Sequence, residues 1–386
     1  MSYLLAALAL LTAAAVAAML FKRSGSRGGT PAAAPARRAA PAPGAAAAPA
    51  RQPTLAGAGT KADPVVAVAA APAEPVAALA SYRPQRAAEL PPERRKSYVD
   101  TFREVPRPPK LLRHLMSPEF LEAANSAQLV ELISAEPLIA AKVLTAVNSP
   151  LYGLKSPVTS VGQAVTYLGL NTVRTLCLQY ILISAFKADS PERQQVLDAT
   201  WRASALASEL THQLCYRLGM AEPGFTVSAV VLSFLGRLAT AATMPRALLP
   251  QIPARDLLAR AEAEQQRMGL PASEIGRLLM TEWGLPERLV AEAADIDTVL
   301  STPAQGLDPA RAPRLALAYL CARLGERLAV GEVPDLLTFD LAATADAELH
   351  HFRGHLSDAR LAKLTEHVRA PALSAELQRM IAFWKR

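Results

Sequence analysis

From about Val105 onward the apolar side chains recur at intervals of three and four residues, and the runs close on proline, glycine or a capping side chain. Ser126 is placed to cap a helix that aligns Leu129, Leu132 and Ile133. Pro137 opens the next, with Ile139, Val143, Leu144 and Val147 on one face, ending before Asn148-Ser149-Pro150. Ser160-Val161-Gly162-Gln163 has the form of a capping box; Ala164, Val165 and Leu168 follow, and Gly169 terminates. Asn171 is placed to cap a helix running toward Phe186. Trp201, Leu206, Leu210, Leu214 and Leu218 make a long stripe closed by Gly219. Further helices are expected over 226–243, 254–268, 272–283, 286–298 and 310–329, with Gly269 and Gly284 just past helix ends and Pro286 at a first helical position. No run alternates apolar and polar residues for long enough to make a strand, so the body is expected to be all-α.

The first hundred residues have a different composition. Tyr3 to Phe21 is uncharged and apolar; at ~1.5 Å per residue a helix of that length spans roughly 28 Å, about the thickness of a bilayer's hydrocarbon core. Positive charges follow it rather than precede it, which is unlike a signal peptide and keeps the carboxyl side cytoplasmic. Residues 1–23 are therefore expected to be a transmembrane anchor, single-pass in a bacterial inner membrane. Pro31 to Ala80 holds twenty-three alanines and nine prolines, so residues 24–95 are expected to form a disordered Ala/Pro/Arg-rich linker. The charge lies here too. Lys22 to Val99 carries twelve basic and four acidic side chains, against a net charge of +7 for the whole chain. Asp100 to Arg386 is thus near neutral, which argues against a nucleic-acid-binding body, and the leader's arginines suit anionic lipid headgroups.

Glu136-Pro137, then Val147-Asn148-Ser149-Pro150-Leu151-Tyr152-Gly153, then Val158-Thr159-Ser160-Val161 and Ala164-Val165-Thr166-Tyr167-Leu168-Gly169 resemble the HDOD domain, the catalytically altered relative of the HD phosphohydrolases in bacterial signalling proteins. Trp201-Arg202-Ala203-Ser204 with Ala207 is similar to the helix that follows in that family, and the likeness extends through Glu264 and Trp283-Gly284-Leu285-Pro286, roughly 105–300. The motif residues are Asn148, Ser149, Tyr152, Gly153, Ser160, Leu168, Gly169 and Trp201. Their chemistry is that of helix ends and tight turns, so their expected role is structural. The resemblance implies a multi-helix HD-like domain over 96–300, with residues 301–386 as a helical extension packed on it. It also implies output or adaptor roles near cyclic-di-GMP, chemotaxis or pilus systems.

An HD phosphohydrolase holds one or two metal ions with histidine and aspartate. No His-Asp dipeptide occurs in the chain. Where such relatives carry it, the sequence reads Val231-Leu232-Ser233-Phe234-Leu235-Gly236, making Ser233 and Phe234 the degenerate former-site positions. Two later ligand positions read Gly269-Leu270-Pro271-Ala272 and Ala294-Asp295-Ile296. No catalytic, metal-binding or cofactor residue is expected. His351 and His355, one turn apart near Asp346 and Glu348, read as a solvated helix face rather than a metal pair. Cys177, Cys215 and Cys321 stand singly, which excludes a disulfide framework or a CxxC zinc module and reads as core packing. The helix pair around Gly169 has the outline of a helix-turn-helix, but its second helix offers only Arg174 to a DNA groove. Three functional readings follow: a membrane-anchored, non-catalytic signalling module that binds protein partners; a metal-dependent phosphohydrolase or cyclic-nucleotide phosphodiesterase; and a DNA-binding regulator. The residues favour the first.

Overall fold

Capping residues and prolines cut the chain into helices of eight or more residues at Pro92–Arg103 (α1), Ser126–Ser134 (α2), Pro137–Val147 (α3), Val161–Leu168 (α4), Leu170–Ser184 (α5), Pro191–Leu218 (α6), Pro223–Ser233 (α7), Leu235–Thr243 (α8), Leu257–Met268 (α9), Ala272–Glu282 (α10), Glu287–Asp295 (α11), Ala312–Ala329 (α12) and Pro371–Trp384 (α13). The computed structural model describes residues 77–386 apart from 104, 106–109, 124, 253–254, 342–345 and 386. Among the described residues there is no strand, and all of them belong to one unit. The expected anchor at 3–21 and the spacer up to residue 76 lie outside the described residues.

Two long helices form the axis. α6 runs for 28 residues because Ser190 accepts a hydrogen bond from the Arg193 N–H at its start, Pro191 occupies its first turn, and Gly219 ends it in a left-handed conformation. α12 lies along it, and from Ala312 to Leu328 all but one of its side chains are buried. That corrects the expectation of a C-terminal extension: α12 is a central element of the core. Its alanine- and leucine-rich composition suits a helix surrounded on every side, with its four charged residues, Arg314, Arg323, Glu326 and Arg327, all paired. α7 and α8 contribute a further apolar block. Pro223–Thr243 is long enough and apolar enough to cross a membrane, yet 83% of its most apolar window is buried in the body. The stretch expected as one helix over 226–243 breaks at Phe234, and α8 then packs on α10. Gly236 makes that possible, since a Cβ there would lie 1.7 Å from the Ala272 carbonyl oxygen.

Several local expectations are corrected. Residues 77–95, assigned to the linker, fold onto the body: a short helix at Ala77–Ser81 buries Leu79 and is followed by buried Tyr82, Ala87 and Leu90. Composition hid them, because a few large apolar side chains among alanines and prolines suffice to dock a strap. Asn125, not Ser126, caps α2, accepting from the Gln128 N–H while Gln128 accepts from Asn125 in return. Ser160 caps α4, but Gln163 reaches one residue further back, to the Thr159 N–H and hydroxyl. Asn171 lies within the first turn of α5, after Gly169, and makes no cap. Pro286 stands at the N-cap of α11 rather than inside it. The second helix of the supposed helix-turn-helix is a core helix, with Val173, Cys177, Leu178, Ile181 and Leu182 buried and Arg174 itself 2% exposed. It has no basic face to offer DNA.

Candidate functional site

The broken helix α7–α8 delivers Ser233, Phe234 and Arg237 to a cleft completed by α9, α10, α12 and the strap at Tyr82–Arg86. Both former-site positions therefore do line one cavity. Phe234 is buried and fills it. The Ser233 hydroxyl donates to the Val230 carbonyl at 2.7 Å, an ordinary bond back to its own helix.

Charge dominates the floor. Glu326 of α12 accepts from Arg237 Nη1 at 2.7 Å, from Arg260 Nη2 at 2.9 Å to each oxygen, and from Arg323 Nη1 at 2.8 Å. Asp297 lies 3.6 Å from Arg323 Nη2. Burial alone would raise the Glu326 carboxyl, but the guanidinium groups of Arg260, Arg323 and Arg237 outweigh it and hold the group well below the usual carboxylate range. Arg237 is lowered, first by burial and then by neighbouring Arg260. Glu264, from α9, faces the same cleft with 3% exposure and no hydrogen-bond partner among the described residues. Burial pushes its carboxyl up, and Arg260 and Arg237 only partly counter that.

The strap closes one edge. Arg86 Nη1 and the Ala87 N–H both donate to Glu274, at 3.1 and 3.0 Å, and Gln265 bonds the backbone at Gln85 and Arg83. Beyond it, Arg277 and Arg311 share Asp295, and Arg311 and Arg314 share Glu292. α12 is tied further by Arg327, which pairs with Asp346 and Glu348. Three guanidinium groups thus share Glu326, with Asp297 beside Arg323, so the cleft floor is a buried cluster of paired charges.

Glu264 gives the cleft a pH signature. The folded state holds its proton to higher pH than the unfolded chain, whose glutamates titrate near 4.3. Its contribution to stability is thus complete in acid and is lost as pH rises through the raised folded value. Glu264→Gln should be more stable than the parent at neutral pH, with the gap closing toward pH 4, as read from denaturant midpoints across that range.

The motif residues lie elsewhere, around the turn between α3 and α4. Asn148 donates from Nδ2 to the carbonyls of Leu144 (2.9 Å) and Val158 (2.7 Å), and its Oδ1 accepts from the Val158 N–H at 2.7 Å. It pins a ten-residue excursion to the end of α3. Ser149 and Gly153 bracket a short 3-10 turn, with Gly153 left-handed, and Tyr152 within it lines a separate groove against α5 and α6. Ser160 and Gly169 start and stop α4, and Leu168 packs at the core edge. Trp201 is half-buried, not fully; its ring meets Trp384 of α13 with centroids 5.5 Å apart. Asn148→Ala should cost about 1–3 kcal/mol, because two paired backbone groups lose their partner, and urea melts would read it.

The remaining groups take structural places. The three cysteines are buried thiols, with Cys215 pushed up to about 12 chiefly by burial. His355 is 3% exposed, which corrects the reading of His351 and His355 as one solvated face; the helix ends at Gly354 between them. Asp346 and Glu348 are taken by Arg327, and no group of three metal-ligating side chains occurs among the described residues.

A family model described as the HDOD domain matches residues 105–298, half of the chain. The chain is an HDOD domain protein. No curated protein matches it in sequence. Among solved structures it is similar to an HDOD domain protein of unknown function from Geobacter sulfurreducens, at 16% identity and a TM-score of 0.52 over 74% of this chain and 98% of that one. It is also similar to a candidate signal transduction protein from Marinobacter aquaeolei, at 20% identity and a TM-score of 0.50, over 76% of this chain and 65% of that one. A candidate phosphohydrolase from Shewanella amazonensis gives 21% identity and a TM-score of 0.48 over 74% and 98%. The first two likenesses, at TM-scores of 0.52 and 0.50, establish the helical fold. The HDOD match contains Arg237, Arg260 and Glu264, but stops short of Arg323 and Glu326. Sequence reasoning missed that pair. The available signal was Arg323 and Glu326, three residues apart on a largely apolar helix.

Proposed function

We propose that this HDOD protein is a membrane-tethered signalling module that works by binding protein partners and hydrolyses no phosphoester. The observation that carries the reading is the cleft floor. Where an HD enzyme would gather histidines and aspartates, Arg237, Arg260 and Arg323 surround Glu326, and Phe234 fills the space beside them. The Ser233 hydroxyl is bonded to its own helix and is poorly placed to act on a substrate. Tethering rests on the apolar run at Tyr3–Phe21 and the basic flank behind it, which would hold the helical body on the cytoplasmic face of an inner membrane. No nucleic acid is expected among its partners, given the near-neutral body and the buried Arg174.

The test is a hydrolysis assay on the full chain in detergent, using bis-p-nitrophenyl phosphate and cyclic di-GMP with added manganese or iron. No turnover above buffer is expected. Metal-dependent turnover that Arg260→Ala or Glu326→Gln changes would overturn the reading. Fractionation checks the tether: the chain should pellet with inner membranes, and a reporter fused after Arg386 should behave as cytoplasmic.

A further inference from the structure

A groove of about 60 Å³ is walled by α5 and α6 and completed by Tyr152 and by Met380 of α13. On its wall Gln179, 7% exposed, donates from Nε2 to Ser208 Oγ at 3.0 Å. The serine fixes the orientation of that amide: its one proton goes to the Ala205 carbonyl at 2.8 Å, so toward Gln179 it can only accept. Gln179 Oε1 is the atom left over, and it has no hydrogen-bond partner among the described residues. Buried amide oxygens are normally paired, so this one marks a place for a donor. Glu209, the next residue on α6, supplies charge. Its carboxylate is half-buried, accepts from Gln213 Nε2 at 2.9 Å and forms no ion pair among the described residues. No Lys or Arg lines the groove, and His212, on the same wall, makes no ion pair with Glu209. Burial first, and then the Glu209 carboxylate, push the Tyr152 phenol up, so that carboxylate's field reaches across the groove. Thr172 and Thr175 add two hydroxyls; unlike Thr200, Thr211 and Thr226, they make no bond back to their own helix.

We propose that this groove binds a small primary ammonium ion on a short aliphatic stem, its N–H groups donating to Glu209 and Gln179 Oε1 and its stem lying along Leu176, Val227 and Met380. The chemistry follows from what the walls hold: one carboxylate without a cation, one oriented acceptor, two free hydroxyls able to take a third N–H, and apolar side chains beside them. An anion would meet repulsion from Glu209, and the space admits a head group with a few methylenes rather than a ring system. The groove is separate from the Glu326 cleft, so the inference stands whatever that cleft does.

The probe is n-propylamine at neutral pH, titrated into the full chain in detergent while the melting midpoint and binding heats are followed. Propylamine should bind saturably and raise the midpoint. Propan-1-ol, which lacks the charge, and tetramethylammonium, which lacks N–H donors, should do neither at equal concentration. Glu209→Gln and Gln179→Met, each close in size to the parent side chain, should weaken propylamine binding by at least about tenfold. Lysine capped as its Nα-acetyl amide separates a free amine from a lysine side chain on a protein, and the free amine should bind more tightly. The proposal fails if propylamine does not saturate, if either comparison compound matches it, or if either variant binds it like the parent. Tighter binding of the capped lysine would overturn the assignment to a free amine.

Discussion

Glu326→Gln should destabilise the protein by about 3–5 kcal/mol, the usual cost of removing one partner from a buried charge cluster. The substitution keeps the side chain's size, so packing is preserved and the loss is electrostatic. Arg237, Arg260 and Arg323 would remain buried around a neutral acceptor. Against a domain stability of about 5–15 kcal/mol that loss is a large fraction. Acid gives an independent reading. The Glu326 carboxyl is held well below its ordinary range, so its contribution is present above the unfolded glutamate value near 4.3 and fades as pH falls through the depressed folded value. The variant should lack that acid limb, which the parent retains. Glu264 acts in the opposite sense, losing its contribution as pH rises, so the two carboxyls separate cleanly in melts run from acid to neutral pH.

Phe234→Ala should cost a similar amount, about 3–5 kcal/mol, for a different reason. The ring is 3% exposed at the break between α7 and α8 and touches the cleft that α9, α10 and α12 enclose. Truncation would open a cavity beside three guanidinium groups, inviting water to the cluster as well as losing apolar contact. Ser233→Ala is the control one residue away. Its hydroxyl bonds only the Val230 carbonyl among the described residues, so its removal should stay within about 0.5–1 kcal/mol. A denaturant midpoint that fell equally for both would mean the serine hydroxyl has a role that its hydrogen bonding does not show.

The helical skeleton could be read from the chain because its punctuation is local. Ser160, Pro137, Gly219 and Gly269 act within one turn of themselves, and each stands at a helix end in the structure. What sequence could not give was anything set by distant contact. Leu79, Tyr82 and Leu90 look like isolated apolar residues in a proline-rich leader, and only the surfaces of α9 and α10 make them a folded strap. Phe234 breaks a helix whose periodicity runs on through it, because α8 must turn to place Gly236 against Ala272. The absence of a His-Asp pair at Val231–Gly236 was visible, and Ser233 and Phe234 do reach the cleft. The charge cluster beside them was not visible. Arg237, Arg260, Arg323 and Glu326 are spread over ninety residues, on three helices, and look like ordinary surface charges until the fold assembles them.

The paired-charge floor of that cleft is tested most directly by titrating the full chain with manganese in a calorimeter, alongside elemental analysis of the protein as purified. With three guanidinium groups committed to Glu326, neither measurement should find an ion bound in stoichiometric amount. One tightly bound metal per chain, lost in Glu264→Gln or Glu326→Gln, would contradict the charge-locked cleft and with it the non-catalytic reading.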